Sequence, residues 1–259
     1  MNNIQYEIAL KGPKAWNEYR DGTSEVIDLS YADLAGLDLT GINFDNANLR
    51  GAILQFANLS NASLVGANGI DANLAGATFT EAKLNGAVLK HADLTNAKFK
   101  RADMQSVVMT CATAQGASFE LSDMTKSVLE RCNISQADFS NVLARHAIIT
   151  QALALDTNFS NADIAYSNLS FSRLDSTSFY QSNAFACIFD NASLENADFT
   201  ESCMSYASMR RANAYGATFC MVESNSVDFT DSLLQKANFK DTYLRDTVLP
   251  DGIVSNTNN

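Results

Sequence analysis

From Leu29 to Leu249 a large apolar residue returns every fifth position with few exceptions, and no insertion or deletion breaks the count. The run opens Leu29, Leu34, Leu39, Phe44 and Leu49, and closes Phe229, Leu234, Phe239, Leu244 and Leu249. Two residues before each of these centres sits a small residue. It is alanine at every such position from Ala47 to Ala102, and later Ala, Ser, Thr, Cys or Val, as at Ser122, Cys132, Thr157 and Val227. The residue between them is often Asp or Asn, and the two after the centre are polar or glycine. A period of five matches neither an amphipathic helix nor an alternating strand. It does match three extended residues followed by a corner. The first and third extended side chains share a face, so the small residue and the centre point inward and the middle one points out. The remaining two residues, rich in Gly and Asn, turn the chain.

A second period fixes the coil. Phenylalanine occupies the centres Phe79, Phe99, Phe119, Phe139, Phe159, Phe179, Phe199, Phe219 and Phe239, always twenty residues apart. Four pentapeptides per coil stack these rings on one wall as a structural core ladder; other coil sizes scatter them. Coils of a parallel β architecture lie about 4.8 Å apart, so about 11 coils make a rod on the order of 50 Å long.

The segments "ANLAGATF", "ADLTNAKF" and "NASLENADF" resemble the pentapeptide-repeat family, with its A-[DN]-[LF]-x-x consensus, over roughly residues 26–249. The resemblance implies an all-β fold, a right-handed four-sided parallel β-helix. The domain reading is an N-terminal cap with a short helix over 1–25, the pentapeptide-repeat β-helix over 26–249, and a disordered tail over 250–259. In the cap, "GPKAWNEYRDG" predicts one short helix, with Pro13 at its first position and Gly22 at its exit. Trp16 and Tyr19 share a face. With Ile8 they are expected to cover the first coil, whose apolar side chains and backbone groups would otherwise be open. The run from Trp16 to Arg20 is similar to a W-N-x-[WY]-R motif that precedes the repeats in the family, a capping feature. At the other end Pro250 stops the ladder and no amphipathic helix follows. The last coil is expected to be poorly covered, which suggests a homodimer through the C-terminal coil at residues about 229–249.

The net charge of -11 argues against direct nucleic-acid binding, which needs a basic surface. It argues equally against anionic membranes. No apolar run reaches the length of a membrane span, and the first residues lack the pattern of a secretory signal. Cys111, Cys132, Cys187, Cys203 and Cys220 form no CxxC or metal spacing, which suggests reduced thiols and a cytoplasmic location. Nothing points to an enzyme, a cofactor or a metal. His91 and His146 are far apart at solvent-facing corners, and a coil filled by its own side chains offers no substrate cavity.

Interaction signals are better. On one wall the outward middle position turns aliphatic at Val88, Val108, Val128, Ile148 and Ile188, with Asn168 intervening. Leu143, Leu153 and Leu155 are also expected to face out. Tyr166, Phe171, Tyr180, Phe185, Tyr206 and Tyr215 gather in the later repeats, and His146, Tyr166 and Tyr206 fall on one corner line. Long apolar stripes and exposed aromatics mark partner surfaces. The competing explanation is that Val and Ile suit a flat ladder whatever binds. The function read from this pattern is a non-enzymatic protein-interaction or scaffold rod that binds an unknown protein partner on its outer walls. The family resemblance implies an alternative, a DNA mimic that binds DNA gyrase or topoisomerase, as in quinolone resistance. Asp103, Asp123 and Asp163 on one wall favour it. Leu143 interrupts that line, and Lys83, Lys90, Lys98, Lys100 and Arg101 make the third and fourth coils locally basic. One centre that breaks the pattern is Gly69. The expectation there is a local bulge that lets Ile70 swing inward to fill the gap.

Overall fold

Each pentapeptide forms one side of a square coil, and four sides complete a right-handed turn of a parallel β-helix. The computed structural model describes residues 2–252 and 254–255. We number the walls one to four by their first centres, Leu29, Leu34, Leu39 and Phe44. Middle residues twenty apart pair in parallel, from Asp28 with Asn48 to Asp228 with Val248. On wall four the pairing extends to two short strands, β1 (Glu223–Asn225) and β2 (Tyr243–Arg245). Two hydrogen bonds along each wall, and a third at the corner such as the Phe56 N–H to the Ala75 carbonyl at 3.0 Å, hold the stack. The Leu54 N–H donates to the Asn73 carbonyl at 2.7 Å, and the Asn73 N–H donates to the Ala52 carbonyl at 2.9 Å.

The corners explain the polar residues. The Ala57 N–H closes a turn on the Leu54 carbonyl at 3.1 Å. The second residue after each centre is left-handed, for example Asn61 at φ 58 and Asn141 at φ 57. That conformation costs most side chains energy and suits Asn and Gly. The middle Asp or Asn adds an Asx turn: the Ala35 N–H donates to Asp33 Oδ1 at 3.1 Å, and the Ser140 N–H to Asp138 Oδ1 at 3.0 Å. The alternation of Asp and Asn at the middle position therefore reflects a hydrogen bond as well as outward orientation.

Inside, the phenylalanine rings of wall three run in an unbroken file. Neighbouring centroids lie 4.6–5.4 Å apart, and no interplanar angle exceeds 18°. Phe79 to Phe219 are fully buried, whereas Phe239 in the last coil is half-buried. At several sites where Ser, Thr or Cys replaces alanine at the small position, the group turns to the backbone, although Ser127, Ser182 and Ser232 have no such partner. Ser167 Oγ donates to the Ala144 carbonyl at 2.6 Å and Thr177 Oγ1 to that of Ala154 at 2.7 Å. A buried hydroxyl without such a partner would be costly.

Gly69 keeps the register instead of bulging. Asn68 still pairs with Val88, the Gly69 N–H donates to the Val88 carbonyl at 2.8 Å, and its φ is not left-handed. Ile70 stays half-buried at its corner. Leu89 from the coil above fills the gap, its Cδ2 lying 2.8 Å from where a Gly69 Cβ would sit. A leucine has enough reach to cover an adjacent missing side chain, so no backbone change is required.

The cap holds two helices where the sequence predicted one: α1 (Asn3–Ala9) and α2 (Pro13–Asp21). Asn2 caps α1 by accepting from the Ile4 and Gln5 N–H groups, a Ser/Asn-type start. Trp16 is fully buried against Phe44, ring centroids 5.3 Å apart, and its Nε1 donates to the Asn43 carbonyl at 2.6 Å. Tyr19 and Ile8 pack partly buried beside it. At the C-terminal end, the tail expected to be disordered turns back. β4 (Val254–Ser255) pairs antiparallel with β3 (Thr247–Val248), through a turn at Gly252. Residues 253 and 256–259 of that tail lie outside the described residues.

Candidate interaction surface

Wall one carries the aliphatic file. Val88, Val108, Val128 and Ile148 pair in succession, followed by Asn168 and Ile188. The valines are half-buried by their neighbours, while Ile148 and Ile188 are 43% and 38% exposed. A valine or isoleucine here cannot accept the corner N–H as Asp or Asn does, so these repeats forgo a turn bond in favour of apolar surface.

The corner that leads from wall four into wall one carries the aromatic file. His146 stacks on Tyr166 at 5.0 Å, Tyr166 meets the edge of Phe185 at 5.5 Å, and Phe185 meets Tyr206 at 5.3 Å. Phe185 is half-buried, and Tyr206 is 60% exposed. The Arg145 guanidinium lies 5.7 Å from the Tyr166 centroid and 3.3 Å from an Asp163 oxygen. On the far corner of wall one, Phe171 is 60% exposed. The structure thus joins two features that were separate in the sequence: the aliphatic stripe lies between the aromatic corner and Phe171. Leu143, half-exposed on wall four, extends the patch. Leu153 and Leu155 do not join it; they lie half-buried on wall two and its following corner.

Other exposed aromatics have a structural explanation that the sequence reading missed. The ring of Tyr31 lies over Gly51, and that of Phe56 over Gly76. A Cβ at either glycine would come within 2.5 Å of the ring. The signal was present as an aromatic residue and a glycine twenty positions apart. Tyr166, Phe185 and Tyr206 have no such glycine and pack on one another instead.

Two of the five cysteines are buried and held protonated. Cys132 and Cys187 donate to the Met109 and Ile164 carbonyls at 2.8 Å, and burial pushes both thiols up to about 12. Thiols held protonated in this way are poor nucleophiles. His91 and His146 are exposed at separate corners. Among the described residues, no group of three or more His, Cys, Asp or Glu is placed to hold a metal ion, and no helix is long and apolar enough to cross a membrane. An open cleft of about 400 Å³ is lined by Asp190, Asn191, Arg210, Arg211, Thr230 and Asp231. Its arginines are already paired, Arg210 with Asp228 at 2.6 Å and Arg211 with Asp231 at 3.7 Å.

The model of pentapeptide repeats matches the chain in eight copies, over residues 27–66, 72–110, 112–141 and 177–213, more than half its length. No curated protein matches the sequence significantly. Among solved structures, trypsin-treated QnrB1, a plasmid-mediated fluoroquinolone resistance protein, is similar at 20% identity with a TM-score of 0.57, over 71% of this chain and 89% of that one. HetL, a pentapeptide-repeat protein involved in heterocyst differentiation regulation from the cyanobacterium Nostoc sp. strain PCC 7120, is similar at 26% identity with a TM-score of 0.42, over 92% and 97%. The uninterrupted five-residue register, the four-walled coil it builds and the match of the repeat model place this chain in the pentapeptide-repeat family.

Proposed function

We propose that the protein is a non-enzymatic interaction rod that engages a protein partner along wall one. The observation that carries this reading is the apolar surface in which Ile148 and Ile188 lie on wall one beside the aromatic corner of Tyr166, Phe185 and Tyr206, with Phe171 on the far corner. Contiguous patches of this kind are uncommon on monomers and typical of interfaces, where aromatic residues contribute most. The reduced, unpaired cysteines support a cytoplasmic setting. The test pairs the wild-type rod with an Ile148→Asp/Tyr206→Ser variant in cross-linking from host extract. Both substitutions are at exposed sites, so the variant should keep the wild-type melting profile. It should lose the cross-linked partner. Recovery of the same partners by both rods sinks the reading.

One observation favours a second reading, the DNA mimic. The side of the rod centred on wall three carries carboxylates from Glu120 to Glu201 with no lysine or arginine among them. QnrB1, which shares the fold, is a fluoroquinolone resistance protein. Inhibition of gyrase supercoiling at micromolar protein supports mimicry; supercoiling unchanged at that concentration removes it.

A further inference from the structure

The charge around the rod is divided between opposite sides. Between residues 115 and 221 the basic side chains are Lys126, Arg131, Arg145, Arg173, Arg210 and Arg211. All but Arg173, a wall-two residue, stand on the two corners that border wall one. There they outnumber the carboxylates, Glu130 and Asp190. On wall three and its two corners, the same coils carry only carboxylates. The corners beside the apolar patch therefore carry more basic than acidic side chains, although Arg131, Arg145, Arg210 and Arg211 are ion-paired with Glu130, Asp163, Asp228 and Asp231.

The spacing of the patch suggests what shape fits it. The aromatic corner repeats once per coil, about 4.8 Å along the rod, with its rings 5.0–5.5 Å apart as they alternate between the two corner positions. An α-helix lying along the rod presents one residue per 5.4 Å turn. It drifts from the corner by only about 0.6 Å per coil. An extended strand returns a side chain to the same face about every 6.7 Å and falls out of step by the second coil. From Lys126 to Tyr206 the surface spans four coil spacings, roughly 19 Å, which about 13 helical residues would cover.

Resting on the interaction reading above, we infer that the wall-one surface takes an acidic amphipathic helix of a protein partner. Its apolar residues, recurring every third or fourth position, sit on Ile148, Tyr166, Ile188 and Tyr206. Its flanking Glu or Asp side chains meet the basic corners. The arginines are free to exchange partners because their present ion pairs are at the surface. The Arg145 and Arg210 side chains are 46% and 61% exposed in their pairs with Asp163 and Asp228. Such pairs are weakly held, and an incoming carboxylate in a partly desolvated interface competes well with them.

The test uses two synthetic 14-residue helices with the same leucine face, one flanked by glutamates and one by lysines, titrated against the full chain by fluorescence anisotropy. The glutamate peptide should bind at least tenfold more tightly at low salt. Its binding should be lost in the Ile148→Asp/Tyr206→Ser variant and fall about tenfold in Arg145→Glu/Arg211→Glu. Circular dichroism checks that both variants keep the fold. If the lysine peptide binds as well or better and still depends on the patch, the acidic partner is overturned while the surface reading stands. If neither peptide binds in a patch-dependent way, the helix inference is overturned, and the cross-linking experiment decides the broader reading separately.

Discussion

The two ends of the rod meet the same physical problem and answer it differently. Any solenoid ends in a coil with an exposed apolar centre and a row of backbone groups lacking the next strand. At the N-terminal end, α1 and α2 replace the missing coil. Trp16 covers the apolar centre, and two amide side chains imitate a strand edge. Gln5 donates from Nε2 to the Val26 carbonyl at 3.1 Å and accepts the Asp28 N–H at 2.8 Å. Asn17 donates to the Gly41 carbonyl at 3.0 Å and accepts the Asn43 N–H at 2.9 Å. At the C-terminal end, among the described residues, wall one alone receives a covering strand, β4, while Leu234, Ala237 and Phe239 are half-buried. A carboxamide carries a donor and an acceptor on one short side chain, so two residues can close an edge that would otherwise need a strand.

Loss of the aromatic centre should separate the ends most strongly. Trp16→Ala removes a fully buried side chain and should cost about 3–5 kcal/mol. Phe239→Ala, at the half-buried end, should cost less than half of that. Native-state hydrogen exchange can read each end separately, because repeat proteins open from their ends. Equal losses of protection would mean that the ends are equally covered. The open end also sets an expectation about assembly. If a second copy covers it, as we propose, Phe239→Glu should make the protein monomeric by analytical ultracentrifugation. A surface change at the capped end should leave the mass unchanged. Next in size, Gln5→Ala leaves the Asp28 N–H and the Val26 carbonyl without their partner and should cost about 1–3 kcal/mol. A double-mutant cycle of Gln5→Ala with Asn17→Ala should be additive, since the two amides serve different walls. Strong coupling would show that the helices detach as one unit.

How legible this was in the sequence depended on whether a feature was periodic. The five- and twenty-residue periods carried the walls, the phenylalanine file and the inward positions, because each is repeated with the same chemistry. The cap was only half legible. Trp16 and Pro13 marked α2, but α1 has a single cap residue, Asn2, and an apolar pattern too short to show a helical period. Gln5 and Asn17 were not recognised, because one amide in a short polar segment looks like any other until the backbone edge it serves is known. Gly69 was misread for a related reason. The sequence shows a missing side chain but not that Leu89, twenty positions on, reaches into the space. An interior control follows. Gly69→Ala should be mild, since the nearest obstacle is the movable end of Leu89, whereas Gly69→Leu should destabilise by about 1–3 kcal/mol through overpacking. The candidate surface was legible as parts, a stripe and a set of aromatics. Its continuity arose from the coil geometry that puts one corner beside one wall.

Acid should discriminate between the ends by the smallest margin. Asp28, in the first coil, is held down at about 2, first by the Ser30 hydroxyl, then by the N-terminal ammonium and the Ser30 N–H. Asp228, near the last coil, is also held below its ordinary value. Its burial works against this, but the Thr230 hydroxyl and N–H and the Arg210 guanidinium outweigh it. Both groups are thus more acidic in the folded chain than in the unfolded one. Each contributes stability that is present above the ordinary carboxylate pKa of about 4 and is lost as pH falls through the folded value. Melting temperatures should therefore fall between about pH 4 and pH 2. Asp28→Asn should flatten that fall, because an amide keeps the acceptor oxygen and removes the titration. The ends then part on salt. The contribution of Asp228 rests partly on an exposed ion pair with Arg210, 2.6 Å apart, and should shrink as ionic strength rises. That of Asp28 rests first on the Ser30 hydroxyl, with the N-terminal ammonium second, and should shrink less. An Asp228→Asn effect that is as indifferent to salt as that of Asp28→Asn would show that the Thr230 bonds alone hold Asp228, and that the two ends share one electrostatic design.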